Sequence, residues 1–368
     1  MKKVLSLVLS LALVVTAFTA CGKKDSTDTA STTTPTVAPT ATTAPAATTA
    51  PAATTTTAGN PVKTGLGVIV SVAKSTPVGD KDGLAETDAT AAAVTVGADG
   101  KILACKIDVA QTKINFSKEG KLTTPMETVF KSKQELGTEY GLKSASKIGK
   151  EWNEQATAFA NYVVGKTVDE VKGIAVDQQG VPTAADITSS VTIHIGDFVA
   201  AIDKAVANAQ DLGATDADKL GLGIATNMEQ SKDAAADADG LAQAYSYYIA
   251  LTTGADGKTT SCIIDASQGR VNFDAKGAIT NDITAAVQTK DELKENYGMK
   301  KASKIGKEWY EEANAFATYS VGKSLADLKG ITVSEEGAPT TADLTSSVTI
   351  DIKNFVIGID KAIASEAR

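Results

Sequence analysis

The chain has 368 residues, 43% hydrophobic and 5% aromatic, so its cores must rest mainly on Ala, Val, Ile and Leu. With 36 Lys and Arg against 44 Asp and Glu the formal net charge is -8, and no basic stripe interrupts it, which argues against nucleic acid as a partner. One His and three scattered Cys leave no metal-ligand cluster and little basis for a disulfide framework.

Residues 1–21 read as an export signal and not as fold. Lys2 and Lys3 form a charged start and Val4 to Phe18 an apolar run too short and too early for a membrane span. The segment ends Phe18-Thr19-Ala20-Cys21, which resembles the lipobox of bacterial lipoproteins. That resemblance implies a diacylated Cys21 as the first mature residue, and hence a cell-membrane location on the extracellular face. Residues 22–61 then turn almost entirely to Thr, Ala and Pro (TASTTTPTVAPTATTAPAATTAPAATTTTAGNP), a composition expected to stay disordered. Extended at ~3.1 Å per residue, such a stalk reaches on the order of 100 Å, enough to lift a folded domain through a thick wall.

From Lys101 onward, residues match partners 157 positions later without a gap: Cys105 with Cys262, Asp108 with Asp265, Trp152 with Trp309, Thr192 with Thr349. Roughly half of the aligned positions from Gly97 are identical, which reads as an internal duplication. Upstream the offset slips by one, Gly65-Leu66-Gly67 matching Gly221-Leu222-Gly223. Two tandem domains are expected, 62–213 and 214–368.

Within each copy, GVIVSVAKS (67–75), TAAAVTV (90–96) and KILACKIDVAQ (101–111) predict an antiparallel meander, with a turn at Ala98-Asp99-Gly100. SKQELGTEYG, KIGKEWNEQATAFANYVVG and TVDEVKGI change to helical period, the last with a capping box from Thr167 to Glu170. SVTIHI (190–195) reads as a strand, followed by a helix with Phe198, Ile202 and Ala205 on one face and Asp197, matched by Asn354, as its N-cap. The fold class expected is α+β: two tandem copies of a small domain, an antiparallel β-meander packed by helices, preceded by the disordered stalk.

Few side chains suggest chemistry. His194 has Asp351 at its duplicate position, so a polar strand position accounts for both better than a general base does. Cys105 and Cys262 sit on an apolar strand face with Leu103, Ile107 and Val109, as buried inert thiols. Trp152 and Trp309 close an identical ASKIGKEW, where Ile148, Trp152 and Ala156 make a packing stripe or, alternatively, offer a ring for a planar ligand. Gly65-Leu66-Gly67 is too short for a phosphate loop and fits a tight strand entry equally well. No hydrolytic or transferase site is recognisable. The remaining candidate is DITSSVTI (186–193), repeated as DLTSSVTI (343–350). Its hydroxyls before a helix start suit either a phosphate or local backbone bonding, and the residue types alone leave both open.

Asp186, Ser189 and Thr192, with Phe198 in the following helix, fall in register with the Asp-x-x-Ser-Gly-Ala-Thr motif of the FMN-binding domain family, and the chain resembles that family in both copies. Asp343, Ser346, Thr349 and Phe355 repeat the match. The resemblance implies FMN bound covalently through Thr192 and Thr349, attached by a separate flavin transferase. It also implies an electron carrier serving a membrane redox partner, with no substrate turnover of its own. Ser190-Val191 and Ser347-Val348 stand where the family has Gly-Ala. The alternative is a surface module that binds a ligand or partner and keeps the fold without flavin.

Overall fold

Apolar residues build the first three strands, and each runs longer than the expected core segment. In the computed structural model, which describes residues 59–368, β1 spans Pro61–Ser71, β2 Gly83–Val96 and β3 Ile102–Phe116. They form the antiparallel meander, and a fourth strand β4, Gln210–Thr215, adds to the free edge of β1 in the order β3-β2-β1-β4. The 1–21 segment with Cys21 and nearly all of the stalk lie outside the described residues. The stalk's end at 61 needs correcting, because Asn60 and Pro61 belong to the fold. Asn60 bonds Asp216 through its backbone N–H (2.9 Å) and its side-chain amide (2.8 Å), and Pro61 opens β1.

Short helices follow. Ser132 caps α1, Lys133–Leu136, with a capping box to Glu135, and a 3-10 turn over Gly137–Tyr140 follows it. Helix α2 is Trp152–Tyr162, so Ile148 lies in the preceding turn and not on the helical stripe expected for it. Helix α3, Val168–Lys172, carries the predicted Thr167–Glu170 box. Helix α4, Gly196–Ala207, buries Phe198, Ile202 and Ala205 as expected, but its N-cap is Ile195 and Asp197 falls in the first turn. SVTIHI forms no strand, since its N–H groups go to other partners than a sheet: Ser190 and Val191 to the Ile187 carbonyl, Thr192 to the Gln155 side chain and Ile195 to the Gly180 carbonyl.

The same succession recurs. Strands β5 (Lys219–Asn227), β6 (Gly240–Thr253) and β7 (Thr259–Phe273) form a second antiparallel sheet. Then come α5 (Lys290–Leu293), α6 (Trp309–Ser320), α7 (Leu325–Lys329), a short α8 (Ala342–Thr345) and α9 (Lys353–Ser365). The fold is α+β, with two antiparallel sheets and several helices.

Each sheet is buried on both faces. One face packs its own helices: Val94, Ile107 and Val109 meet Trp152, Phe159 and Phe198, and Ile249 and Ile264 meet Trp309, Phe316 and Phe355. The other faces meet each other, Leu66, Val68, Ala91 and Ala93 against Leu222, Ile224, Tyr248 and Ala250. This explains why β2 reads as a nearly unbroken apolar run where a one-sided sheet would alternate.

Residues 157 apart meet across this junction. Phe116 stacks on Phe273 with ring centres 4.3 Å apart and planes 9° from parallel. Val78 N–H donates to the Gly277 carbonyl at 2.9 Å, and Ala234 N–H to the Gly120 carbonyl at 2.8 Å. Lys204 pairs with Glu292 at 2.5 Å, and Lys361 with Glu135 at 3.0 Å. Contacts exchanged in this way are those of an approximate two-fold axis between the halves.

The paired glycines have a mechanical reason. A Cβ on Gly65 or Gly67 would run into the carbonyl oxygens of Ala205 or Ala201 in α4, and Gly221 and Gly223 stand in the same relation to Ala362 and Gly358 in α9. They let the closing helix lie directly on the strand, and no phosphate loop forms there.

Candidate functional site

The repeated hydroxyl-rich stretch lies between the middle helix of each half and the start of its closing helix. Residues 184–191 form tight turns in which Ser190 and Val191 N–H both donate to the Ile187 carbonyl, at 2.8 and 2.9 Å. In the second half Ser347 and Val348 donate likewise to Leu344, at 2.9 and 2.8 Å. Ile187 and Val191, and their counterparts Leu344 and Val348, are buried and pin the turn to the helical core. Val191 and Val348 therefore fill apolar core space beneath the turn.

Asp186 and Ser189 are exposed, as are Asp343 and Ser346, while Thr192 and Thr349 are half-buried. The motif residues do not bond to one another. Asp186 accepts from the Tyr162 hydroxyl at 3.0 Å. Thr192 turns instead to α2, where both its N–H (2.8 Å) and its hydroxyl (3.2 Å) reach Oε1 of Gln155. Thr349 makes the equivalent bonds to Glu312 on α6, its N–H at 2.6 Å and its hydroxyl at 3.0 Å.

Gln155 and Glu312 are fully buried, and sequence reasoning missed both. Gln155 also donates to Ser146 Oγ and the Lys150 carbonyl, each at 3.1 Å, so its amide is saturated. Glu312 cannot donate when ionised, and there Ser303 reverses the polarity by donating to it at 2.8 Å. The signal was present in the sequence as a Gln-to-Glu exchange inside two otherwise similar helices, but nothing local tied it to a threonine 37 residues on.

A second exchange lies on the far side of each Thr. His194 is exposed in a loop, its Nδ1 accepting from Gly196 N–H at 3.3 Å, with its ring against Gly180 and Gly196. Asp351 does the same work for α9, accepting from Lys353 N–H at 2.8 Å and lying against Gly337. Both cap the start of the closing helix, so the strand position expected for them is corrected to a helix-capping loop, occupied by any short acceptor side chain. Asp197 of the first helical turn is matched by Asn354. Gln155 thus touches Thr192, with His194 and Asp197 following it in the chain, and Glu312 touches Thr349, followed by Asp351 and Asn354.

The other candidates are structural. Cys105 and Cys262 are free and buried, and burial pushes both thiols up to about 12, far from a reactive thiolate. Trp152 and Trp309 are core residues, edge-on to Phe198 and Phe355 with ring centres 5.7 and 5.8 Å apart. Among the described residues no group of His, Cys, Asp or Glu is arranged to hold a metal ion, and no helix is long and apolar enough to cross a membrane. No protein-family model matches the chain, and neither a curated protein nor a solved structure matches it.

Proposed function

We propose that the chain is a lipid-anchored extracellular protein of two tandem FMN-binding-like domains that carries flavin at the repeated motif, chiefly at Thr192. The observation behind this reading is the common placement of the two threonines. Each closes the Asp-x-x-Ser-x-x-Thr turn, half-exposed, just ahead of the amphipathic helix, and is anchored through N–H and hydroxyl to one position of the middle helix. Bound flavin supplies the redox chemistry, and the protein supplies attachment and orientation. A transferase would join the threonine oxygen to the flavin phosphate by breaking the pyrophosphate bond of a flavin dinucleotide, the nucleoside monophosphate leaving and the hydroxyl proton passing to solvent. A membrane redox partner would exchange the electrons.

Charge separates the two threonines. A phosphodiester about 4 Å from an ionised carboxylate costs roughly 4 kcal/mol at an effective dielectric near 20. Glu312 touches Thr349, whereas the neutral Gln155 touches Thr192. The first half fits the group, and the second, with a carboxylate against its threonine, fits it less well.

Full-length protein co-expressed with a flavin transferase from a flavin-lipoprotein-bearing bacterium should fluoresce in a denaturing gel. Thr192→Ala should remove most of that signal and Thr349→Ala little. A colourless folded protein, with a known flavin acceptor labelled in parallel, would leave the second reading: a surface module that binds a ligand or partner without flavin. The replacement of Gly-Ala by Ser-Val in both motifs, with the valines buried, favours that reading.

A further inference from the structure

The second half contains a cavity of about 410 Å³, a volume in the range of small-molecule sites. Its floor is aromatic: Tyr245 and Tyr247, stacked at 4.5 Å, with Tyr297 and Trp309. Lys290 Nζ lies 4.2 to 4.7 Å from the ring centres of Tyr245, Tyr297 and Trp309, and its head group bonds the Tyr245 hydroxyl. Lys290 is only 3% exposed and has no carboxylate within ion-pair distance among the described residues, so it presents a buried donor to the cavity. Burial lowers its amine to about 7, the neighbouring Arg270 acting in the same sense.

The first half provides an internal control. Ser75 and Ser231 occupy equivalent places, each hydroxyl receiving the N–H of the neighbouring strand at 3.0 and 2.9 Å. The residues before them, Lys74 and Gln230, therefore correspond, as do Asp88 and Tyr245. In the first half Lys74 and Asp88 form an ion pair at 2.7 Å across this spot. In the second half both partners are replaced, and Thr90 gives way to Tyr247. An ion pair has been exchanged for two stacked tyrosines, while Lys290, Tyr297 and Trp309 keep the places of Lys133, Tyr140 and Trp152 in the first half.

The rim decides what can enter. Glu229, Glu336 and Asp351 offer carboxylates, Gln230 and Asn354 offer amides, and Lys290 stands beneath. Three carboxylates disfavour an anion, and the Lys290 amine already occupies the ring faces that a cation would use. A ligand that both donates and accepts without charge satisfies every lining group, and ring C–H faces suit the aromatic floor. We infer that this cavity is a binding site for an uncharged saccharide, one to two rings in size, independent of whether flavin is attached at Thr192.

The test uses full-length protein carrying fluorotryptophan, which yields two resonances because Trp152 and Trp309 are the only tryptophans. Glucose, N-acetylglucosamine, maltose and cellobiose are titrated to millimolar concentrations, with tetramethylammonium, riboflavin and inorganic phosphate as competing classes. The Trp309 resonance should move saturably with at least one saccharide while Trp152 stays fixed. The double substitution Gln230→Lys with Tyr245→Asp, which recreates the first half's ion pair, should abolish the shift. Asn354→Ala at the rim, which leaves the floor intact, should weaken it at least tenfold and serves if the double variant does not fold. No saturable shift with any saccharide, a response only to a competing class, or undiminished binding in the variants overturns the proposal.

Discussion

The two halves keep one scaffold and differ in what lines it. Glycines under the closing helix, capping boxes, buried thiols and core rings recur at matched positions. The exchanges at the hydroxyl-rich turn and the neighbouring end of the sheet include Gln155 to Glu312, His194 to Asp351, Asp197 to Asn354, and the Lys74–Asp88 pair to Gln230 and Tyr245. Where the same backbone is held by the same core, a change of lining changes function without refolding. On the readings proposed above, the first half is the one to carry a phosphate ester at its threonine and the second a ligand in its cavity.

The largest expected effect tests whether the halves are mechanically equivalent. Phe116 and Phe273 stack on each other, both fully buried. Phe116→Ala and Phe273→Ala should each cost about 3–5 kcal/mol in chemical denaturation, from lost burial plus the cavity left behind. Because each ring is the other's partner, the double variant should cost less than the sum. Single-variant losses differing by more than about 2 kcal/mol would show that the two-fold arrangement does not make the halves equal.

Next in size is the exchange of the threonine's partner. Glu312→Gln should raise flavin attachment at Thr349, and Gln155→Glu should lower it at Thr192, each by at least tenfold, since roughly 4 kcal/mol of repulsion is at stake. Peptide mass mapping of the labelled chain reads both sites in one sample. Unchanged labelling in both variants would remove charge as the feature that separates the halves.

The pH dependence sharpens the comparison at the paired buried acids. Burial raises Asp265 from its ordinary 3.8 to about 7 and Asp108 to about 6, against the opposing hydrogen bonds that each carboxyl accepts. The folded state therefore keeps a proton that the unfolded state releases between 3.8 and about 7, so stability falls as pH rises through that window. Lys290 adds the opposite slope above it. Its folded value near 7, below the ordinary 10.5, means that the unfolded state binds more protons in between, and stability rises with pH. The chain should thus be least stable near neutrality, by a few kcal/mol relative to about pH 5. Asp265→Asn should flatten the acid limb more than Asp108→Asn does.

Much of the scaffold could be read from the sequence. The meander, the Thr167–Glu170 box and the buried faces of Phe198, Ile202 and Ala205 follow from local period and capping chemistry. The motif's backbone could not. SVTIHI alternates like a strand, but its apolar residues plug a turn into the helical core, a tertiary arrangement that alternation alone does not distinguish. The partners of the threonines were hidden for the same reason, since Gln155 and Glu312 meet them only after the middle helix docks. The junction between the halves also depends on contacts far apart in the chain, although the apolar run of β2 hinted at a second buried face.

The smallest expected effect concerns the two ion pairs that flank the two-fold axis. Lys204 to Glu292 and Lys361 to Glu135 are partly exposed, with side-chain accessibilities of 35% and 29% in one pair and 24% and 23% in the other. Screening at such exposure limits each to about 1 kcal/mol or less. Each lysine also donates to a strand carbonyl, Lys204 to Val68 at 2.8 Å and Lys361 to Ile224 at 3.0 Å. Replacing a lysine with Met therefore leaves a strand carbonyl without this donor, while each Glu keeps its capping-box bond, and the raw loss will exceed the pair's own contribution. A double-mutant cycle with Glu292→Gln or Glu135→Gln separates the two, and the coupling should be equal for both pairs and shrink with added salt. If one pair couples strongly and the other not at all, the junction is asymmetric in energy despite its matched geometry.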